Sequence, residues 1–228
     1  AAGNAVHCLC RSDYEVIRSR GLRVESPWGD LHLRDVEAHR DYRTLPVCDT
    51  VAICLKATAN PVLAEILPAL TRPETTVVLL QNGIGVEPSL APLLPEGALL
   101  AGGVSFLCSN KPGPGLIRHL DYGAVTLAPY RGEGMADRSE DRLQAVVEDF
   151  RGAGLPTSLE EDLLLARWRK LAWNVPFNGL SVLYRLSTDK LLADPGILAR
   201  IRRLMREVQL AARATGRELP DAFLDKLL

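Results

Sequence analysis

The sequence lacks any long hydrophobic run. Its longest uncharged apolar stretch, Gly97 to Cys108, is about a dozen residues with Gly102 and Gly103 inside it, where a membrane-spanning helix needs roughly twenty. No membrane-crossing segment is expected. Charge of one sign is lacking too, because 27 Lys and Arg stand against 28 Asp and Glu for a formal charge of −1. With no basic stretch there is no footprint for nucleic acid and nothing to hold an anionic membrane surface. Cysteine is scarce: Cys8, Cys10, Cys48, Cys54 and Cys108 are odd in number and irregular in spacing. That excludes a disulfide scaffold and suits buried thiols in a reducing compartment. No CxxC occurs, and His7 is the only histidine beside Cys8 and Cys10, so no metal site is expected. Neither a charged leader nor a hydrophobic leader core follows Ala1. The expectation is a cytoplasmic chain, cut at its front.

A dinucleotide-binding glycine fingerprint is missing as well. Gly83-Ile84-Gly85 has the form of its first half, but no third glycine follows, and Gly132-Glu133-Gly134 fails in the same way. What is present is ordinary globular composition, 47% apolar and 24% charged over 228 residues, enough to bury a full core as one large domain or two small ones.

The first two thirds alternate β-branched runs with helical stretches, the pattern of an α/β layer fold with a largely parallel sheet. Ala5 to Cys10 reads as a strand and Asp13 to Arg20 as a helix stopped by Gly21. Leu22–Val24 and Leu31–Leu33 flank the Pro27–Gly29 turn as a hairpin. Asp49 to Leu55 and Thr75 to Leu80 read as parallel strands buried on both faces, joined through a helix over Asn60–Leu70. Ala98 to Phe106 is a further strand, and Leu116–Leu120 with Ala124–Ala128 form a hairpin closed at Asp121-Tyr122-Gly123. From Arg138, Leu143, Val146, Val147 and Phe150 recur at helical spacing, and a short strand at Leu155–Ser158 follows. Ser158-Leu159-Glu160-Glu161 has capping-box form and opens a long helix. Beyond it the chain is helical, with further helices near Pro195–Gly216 and Asp221–Leu228, so the domains are expected at 1–160 and 161–228. If Ala5–Cys10 is the second strand of a dinucleotide fold, Ala1-Ala2-Gly3-Asn4 is the last turn and cap of the preceding helix. The apolar stripe at Ile197, Leu198, Ile201, Leu204 and Val208 packs either internally or against a second subunit as a homodimer.

Chemistry concentrates at two places. Along one helix, Lys170, Asn174 and Asn178 recur at spacing four and line one stripe among Leu171, Trp173, Val175 and Phe177. Such a stripe faces either a ligand or water. Pro176 frees the carbonyl of Ala172. The ends of strands are the other place, since ligands of open α/β sheets sit beyond their carboxyl ends. Arg11 and Ser12 follow the first strand, Lys56 a later one, and Gln81-Asn82-Gly83 the next. An arginine at the end of the second strand suits the 2′-phosphate of NADP, where an acid would suit NAD. Arg11 argues for NADP, with Asp13 as the opposing signal and an exposed loop charge as the plain alternative.

Taken in order, the strand ending in Arg11, Lys56, Leu80-Gln81-Asn82-Gly83-Ile84-Gly85, His119 before Gly123, and Trp168-Arg169-Lys170-Leu171-Ala172 with Asn174 and Asn178 resemble the ketopantoate reductase (2-dehydropantoate 2-reductase) family over nearly the whole chain. The resemblance implies a Rossmann-like dinucleotide-binding domain, lacking its first strand and glycine loop, followed by a truncated all-helical domain. It implies NADPH-dependent reduction of 2-dehydropantoate to (R)-pantoate, on the route to pantothenate and coenzyme A. Lys170 then meets the ketone oxygen as proton donor. Asn174 and Asn178 match substrate-binding asparagines, and Thr188 stands at a third such position. Arg11, Lys56 and Asn82 match positions around the cofactor, and Cys108 falls where a backbone contact to it is expected. The family's glycine motif lies upstream of Ala1 and its closing serine and glutamate lie beyond Leu228, which implies an internal fragment of a longer reductase. Two alternatives stay open: a reductase of another branched 2-oxo acid, and a non-catalytic dinucleotide-binding module.

Overall fold

The computed structural model describes residues 3–132 and 139–228. Ala1 and Ala2 of the expected leading helix turn, Glu133 and Gly134 of the second glycine pair, and Arg138 lie outside those residues. Two compact units are present, Ala1–Glu161 and Asp162–Leu228. The architecture is a Rossmann-like α/β part followed by a helical part.

The first unit begins with β1 (His7–Leu9), α1 (Tyr14–Arg20), β2 (Leu22–Glu25), β3 (Leu31–Leu33) and β4 (Glu37–His39). β2 and β3 form the expected hairpin. β1 pairs in parallel with β4, a three-residue strand that the sequence reading did not contain, and the two form a sheet of their own. Then come β5 (Thr50–Ile53), a 3-10 turn over Ala57–Val62 running into α2 (Leu63–Leu70), β6 (Thr76–Leu79), α3 (Glu87–Leu90), β7 (Leu99–Gly113), β8 (Leu116–Pro129), α4 (Ser139–Gly152) and β9 (Thr157–Leu159). The larger sheet runs β3-β2-β8-β7-β6-β5, with β9 also on β8. β5, β6 and β7 are mutually parallel, as a β-α-β unit requires.

Strand alternation explains the core. Val78 of β6 points to the face where Leu143, Val146 and Val147 of α4 pack with Val125 and Leu127. Val77 and Leu79, one residue either side, point to the opposite face with Leu63 and Leu67 of α2 and Leu90 of α3. All four residues of β6 are buried, as a central parallel strand demands. β5 departs from expectation: only Ile53 is buried and Ala52 is exposed. Among the described residues it pairs on one side only, with β6, so it lacks the second neighbour that burial on both faces needs.

The expected hairpin at Asp121-Tyr122-Gly123 is also corrected. β8 is one continuous strand, and the reversal from β7 falls at Pro114-Gly115, where Gly115 takes φ +68. Tyr122 (φ 62) and Gly123 (φ 126) instead form a bulge: Ser105 faces Val125 while Leu107 faces Tyr122, so β8 holds one extra residue there. Gly123 is needed, since a Cβ on it would sit 3.0 Å from the Trp28 ring.

The second unit is α5 (Leu163–Tyr184), α6 (Thr188–Ala193), α7 (Pro195–Ala214) and α8 (Asp221–Asp225). The capping box at Ser158 is not formed. Ser158 lies in β9, and Asp162 caps α5 by accepting a 2.9 Å hydrogen bond from the Leu165 amide. Arg217 Nε donates to the other Asp162 oxygen at 2.9 Å. The α7 stripe packs internally: Ile197, Ile201 and Val208 are buried with Met205 and Ala212 against Ala172, Phe177 and Leu180 of α5. Among the described residues no helix is long and apolar enough to cross a membrane.

Candidate active-site elements

In the first unit the residues of interest sit at strand ends. Lys56 follows β5 and takes the cap position of the 3-10 turn; it is exposed. Asn82 follows β6 and is exposed as well. Because β5 and β6 are adjacent and parallel, both lie at the same carboxyl edge. Gln81 locks this edge. Its side chain is buried, and Nε2 donates to the Leu55 carbonyl at 2.6 Å and to Asn60 Oδ1 at 2.8 Å. Asn60 Nδ2 returns a bond to Gln81 Oε1 at 3.3 Å. The residues just before Lys56 and Asn82 are thus tied directly to each other. Sequence reasoning saw Gln81 only as a polar neighbour of Asn82; its role as a clamp depends on Asn60, which no local pattern marks.

The loop after Asn82 has two glycines at positive φ, Gly83 at +112 and Gly85 at +75. A Cβ on Gly85 would meet nothing within 4 Å, and one on Gly83 would meet only the Val86 methyl at 3.8 Å. Both glycines therefore have open space beside them at this sheet edge. Arg11 is exposed and follows β1. Burial first, and the Cys8 thiol second, raise the Cys54 thiol above its usual value. Cys108 is on the exposed outer half of β7, opposite Asp121. β7 meets the end of β6 at Gly102, and Cys108 lies roughly 20 Å further along an extended strand. His119 is engaged structurally: its ring nitrogens contact Ser26 Oγ at 2.9 Å and the Tyr122 carbonyl at 2.6 Å, and its ring stands edge-on to Trp28.

In the second unit α5 remains one 22-residue helix through Pro176, so the spacing of Lys170, Asn174 and Asn178 does place them on one stripe. Leu163 and Arg167, seven and three residues before Lys170 and therefore on the same side of the helix, are buried. The row passes from these to half-buried Lys170 and Asn174 and then to exposed Asn178. It is graded in depth, unlike a simple water-facing stripe. Beside it Trp173 and Phe177 stack with centroids 4.0 Å apart. Burial lowers the Lys170 pKa from 10.5 to about 8, since a desolvated ammonium releases its proton more readily. Thr188 is the exposed first residue of α6, off this row. A hollow of about 80 Å³ between α7 and α8, lined by Arg206 and Asp221 among others, is too small for an organic acid.

Comparison with known proteins agrees across both units. Residues 1–132 match the family model described as ketopantoate reductase PanE/ApbA, and residues 162–228 match its C-terminal counterpart. A 2-dehydropantoate 2-reductase of Nostoc sp. is 45% identical over 228 residues, all of this chain and 71% of that protein. The crystal structure of 2-dehydropantoate 2-reductase from Geobacter metallireducens superposes with a TM-score of 0.89 at 37% identity, covering 99% of this chain and 74% of that one. D-Mandelate dehydrogenase, solved with NADH and anilino(oxo)acetate, shares the fold at TM-score 0.87 and 18% identity, over 99% of this chain and 72% of its own. With family matches in both units and a relative of this identity along its whole length, the chain belongs to the ketopantoate reductase family of oxidoreductases.

Proposed function

We propose that this protein performs the NADPH-dependent reduction of 2-dehydropantoate to (R)-pantoate, a step toward pantothenate and coenzyme A. The observation that carries the reading is Lys170, a half-buried lysine with its pKa near 8 at the centre of the α5 row. At pH 7 about nine tenths of such a group is the ammonium, which stabilises charge developing on a ketone oxygen and then delivers its proton there. Asn174 and Asn178, one and two turns along, orient the substrate by donating amide hydrogens to its carboxylate or hydroxyl.

The open Gly83–Gly85 loop, with Lys56 and Asn82 next to the bonded pair Leu55 and Gln81, fits the sugar and nicotinamide end of a dinucleotide. Arg11 fits the 2′-phosphate. NADPH, when bound, supplies the hydride. Cys108 and Thr188 are left out of this assignment, because the first lies well along the outer half of β7 and the second lies off the α5 row.

The fold by itself dictates neither the nucleotide nor the acid, as D-mandelate dehydrogenase with NADH and anilino(oxo)acetate illustrates. Support for 2-dehydropantoate comes from the 45% identical relative named for that reaction. The test is kcat/KM across a panel of 2-oxo acids with NADPH and NADH, using protein from the complete reading frame. Preference for 2-dehydropantoate by tenfold or more supports the reading. A flat profile, or a preference for another acid, rejects it.

A further inference from the structure

β1 and β4 are each three residues long, too short to make a stable pair by backbone bonding alone. Their parallel register sets His7 opposite Glu37 and Leu9 opposite His39. Since strand side chains alternate, His7, Glu37 and His39 share one face, while Cys8, Cys10 and Ala38 share the other. His7 Nδ1 lies 3.1 Å from His39 Nε2. The Glu37 carboxylate completes a group whose ligand atoms all fall within 4.8 Å of one another. His7, the only histidine beside Cys8 and Cys10 in the sequence, thus has Glu37 and His39 next to it in the fold.

The hydrogen bonding around His39 prepares it as a ligand. Thr44 Oγ1 donates its single proton to the Asp41 carbonyl at 2.8 Å. At its 2.8 Å contact with His39 Nδ1 it must therefore accept, which puts the His39 proton on Nδ1. Nε2 is left with a lone pair aimed into the cluster. A neighbour that fixes the tautomer in this way is what metal-bound histidines have. Two imidazole nitrogens bound to one tetrahedral zinc sit about 3.3 Å apart, given bond lengths near 2.0–2.1 Å. The observed spacing is already close to that.

We propose that His7, Glu37 and His39 form a zinc-binding site that staples β1 to β4. Two imidazoles and a carboxylate, with water in the fourth position, suit Zn²⁺ better than the all-oxygen preference of Ca²⁺ or Mg²⁺. On binding, the Nδ1 proton of His7 moves to Nε2 through solvent, so the ring stays neutral while Nδ1 becomes a ligand. The site lies on β1, the strand that leads into Arg11, and its binding is read without turnover.

The experiment is titration of the metal-stripped chain with Zn²⁺ by calorimetry and with Co²⁺ by visible absorption. The expected result is about one equivalent bound, with the intense bands of four-coordinate Co²⁺ and a melting temperature that rises with added Zn²⁺. His7→Ala and His39→Ala should each weaken binding at least tenfold, and Thr44→Val about tenfold through the lost second contact. Cys8→Ser, on the opposite face, should leave it unchanged. No binding by the parent chain overturns the site. Binding that survives His39→Gln in a folded chain, or that vanishes with Cys8→Ser, also overturns it.

Discussion

Lys170 decides its chemistry through where it sits along α5. Folded, it loses its proton near pH 8, whereas in the unfolded chain it does so near its ordinary 10.5. Below pH 8 both states are protonated and the folded one bears the desolvation penalty; between the two values the unfolded state binds more protons, so stability rises with pH. Lys170→Met should abolish that rise, as urea unfolding at pH 8 and pH 10 would show, and a thermal scan at pH 7 should find its melting temperature unchanged or higher. As a proton donor the same group makes kcat level below pH 8 and falling above it. Gln81 acts by holding others. Gln81→Ala leaves the Leu55 carbonyl and the Asn60 amide without their partner and should cost about 1–3 kcal/mol. Its signature is a raised KM for NADPH with kcat little changed, since Lys56 and Asn82 lose their mutual register. The α5 row was legible in the sequence because spacing four is a local signal. The Gln81–Asn60 pair was not, because it joins residues 21 apart in the sequence.

At the scale of elements, each misreading has a physical cause. The positive φ of Gly123 was legible as a demand for glycine, but hairpin turns and bulges share that demand. The neighbour that decides is Pro114-Gly115, which reverses the chain first. Gly123→Val should cost about 1–3 kcal/mol by forcing a side chain into a glycine-only conformation and against Trp28. A loss below 0.5 kcal/mol in urea unfolding would mean that the bulge relaxes freely. Ser158 carried a capping pattern, yet pairing of β9 with β8 claims its backbone, and the cap passes to Asp162. Burial works to raise the Asp162 carboxyl, but the bonds from Leu165 and Arg217 prevail and hold it below its usual value. Its contribution is present above pH 4 and lost as pH falls through the lowered value. Asp162→Ala should therefore cost about 1 kcal/mol at pH 7 and much less at pH 2, measured by denaturant unfolding. β4 escaped detection because Glu-Ala-His has no alternation to read, and its partner β1 is 30 residues away in sequence.

For the whole molecule, sequence alone carried the order of units, the parallel central strands and the family, since each depends on patterns repeated over many residues. It carried less about the strand ends, where function is expected, because those positions are set by pairings between distant segments. The division of labour proposed here gives the first unit the nucleotide and the second the proton. Arg11→Ala should raise the Kd for NADPH about tenfold or more and leave that for NADH nearly unchanged, as equilibrium titration of protein fluorescence would show. The most direct measurement compares the rate of NADPH oxidation with 2-dehydropantoate for protein from the complete reading frame and for its Lys170→Met variant. The account predicts turnover by the parent and a loss of at least a hundredfold in kcat for a variant that melts no earlier. Equal rates, or a parent that leaves NADPH unoxidised, would contradict it.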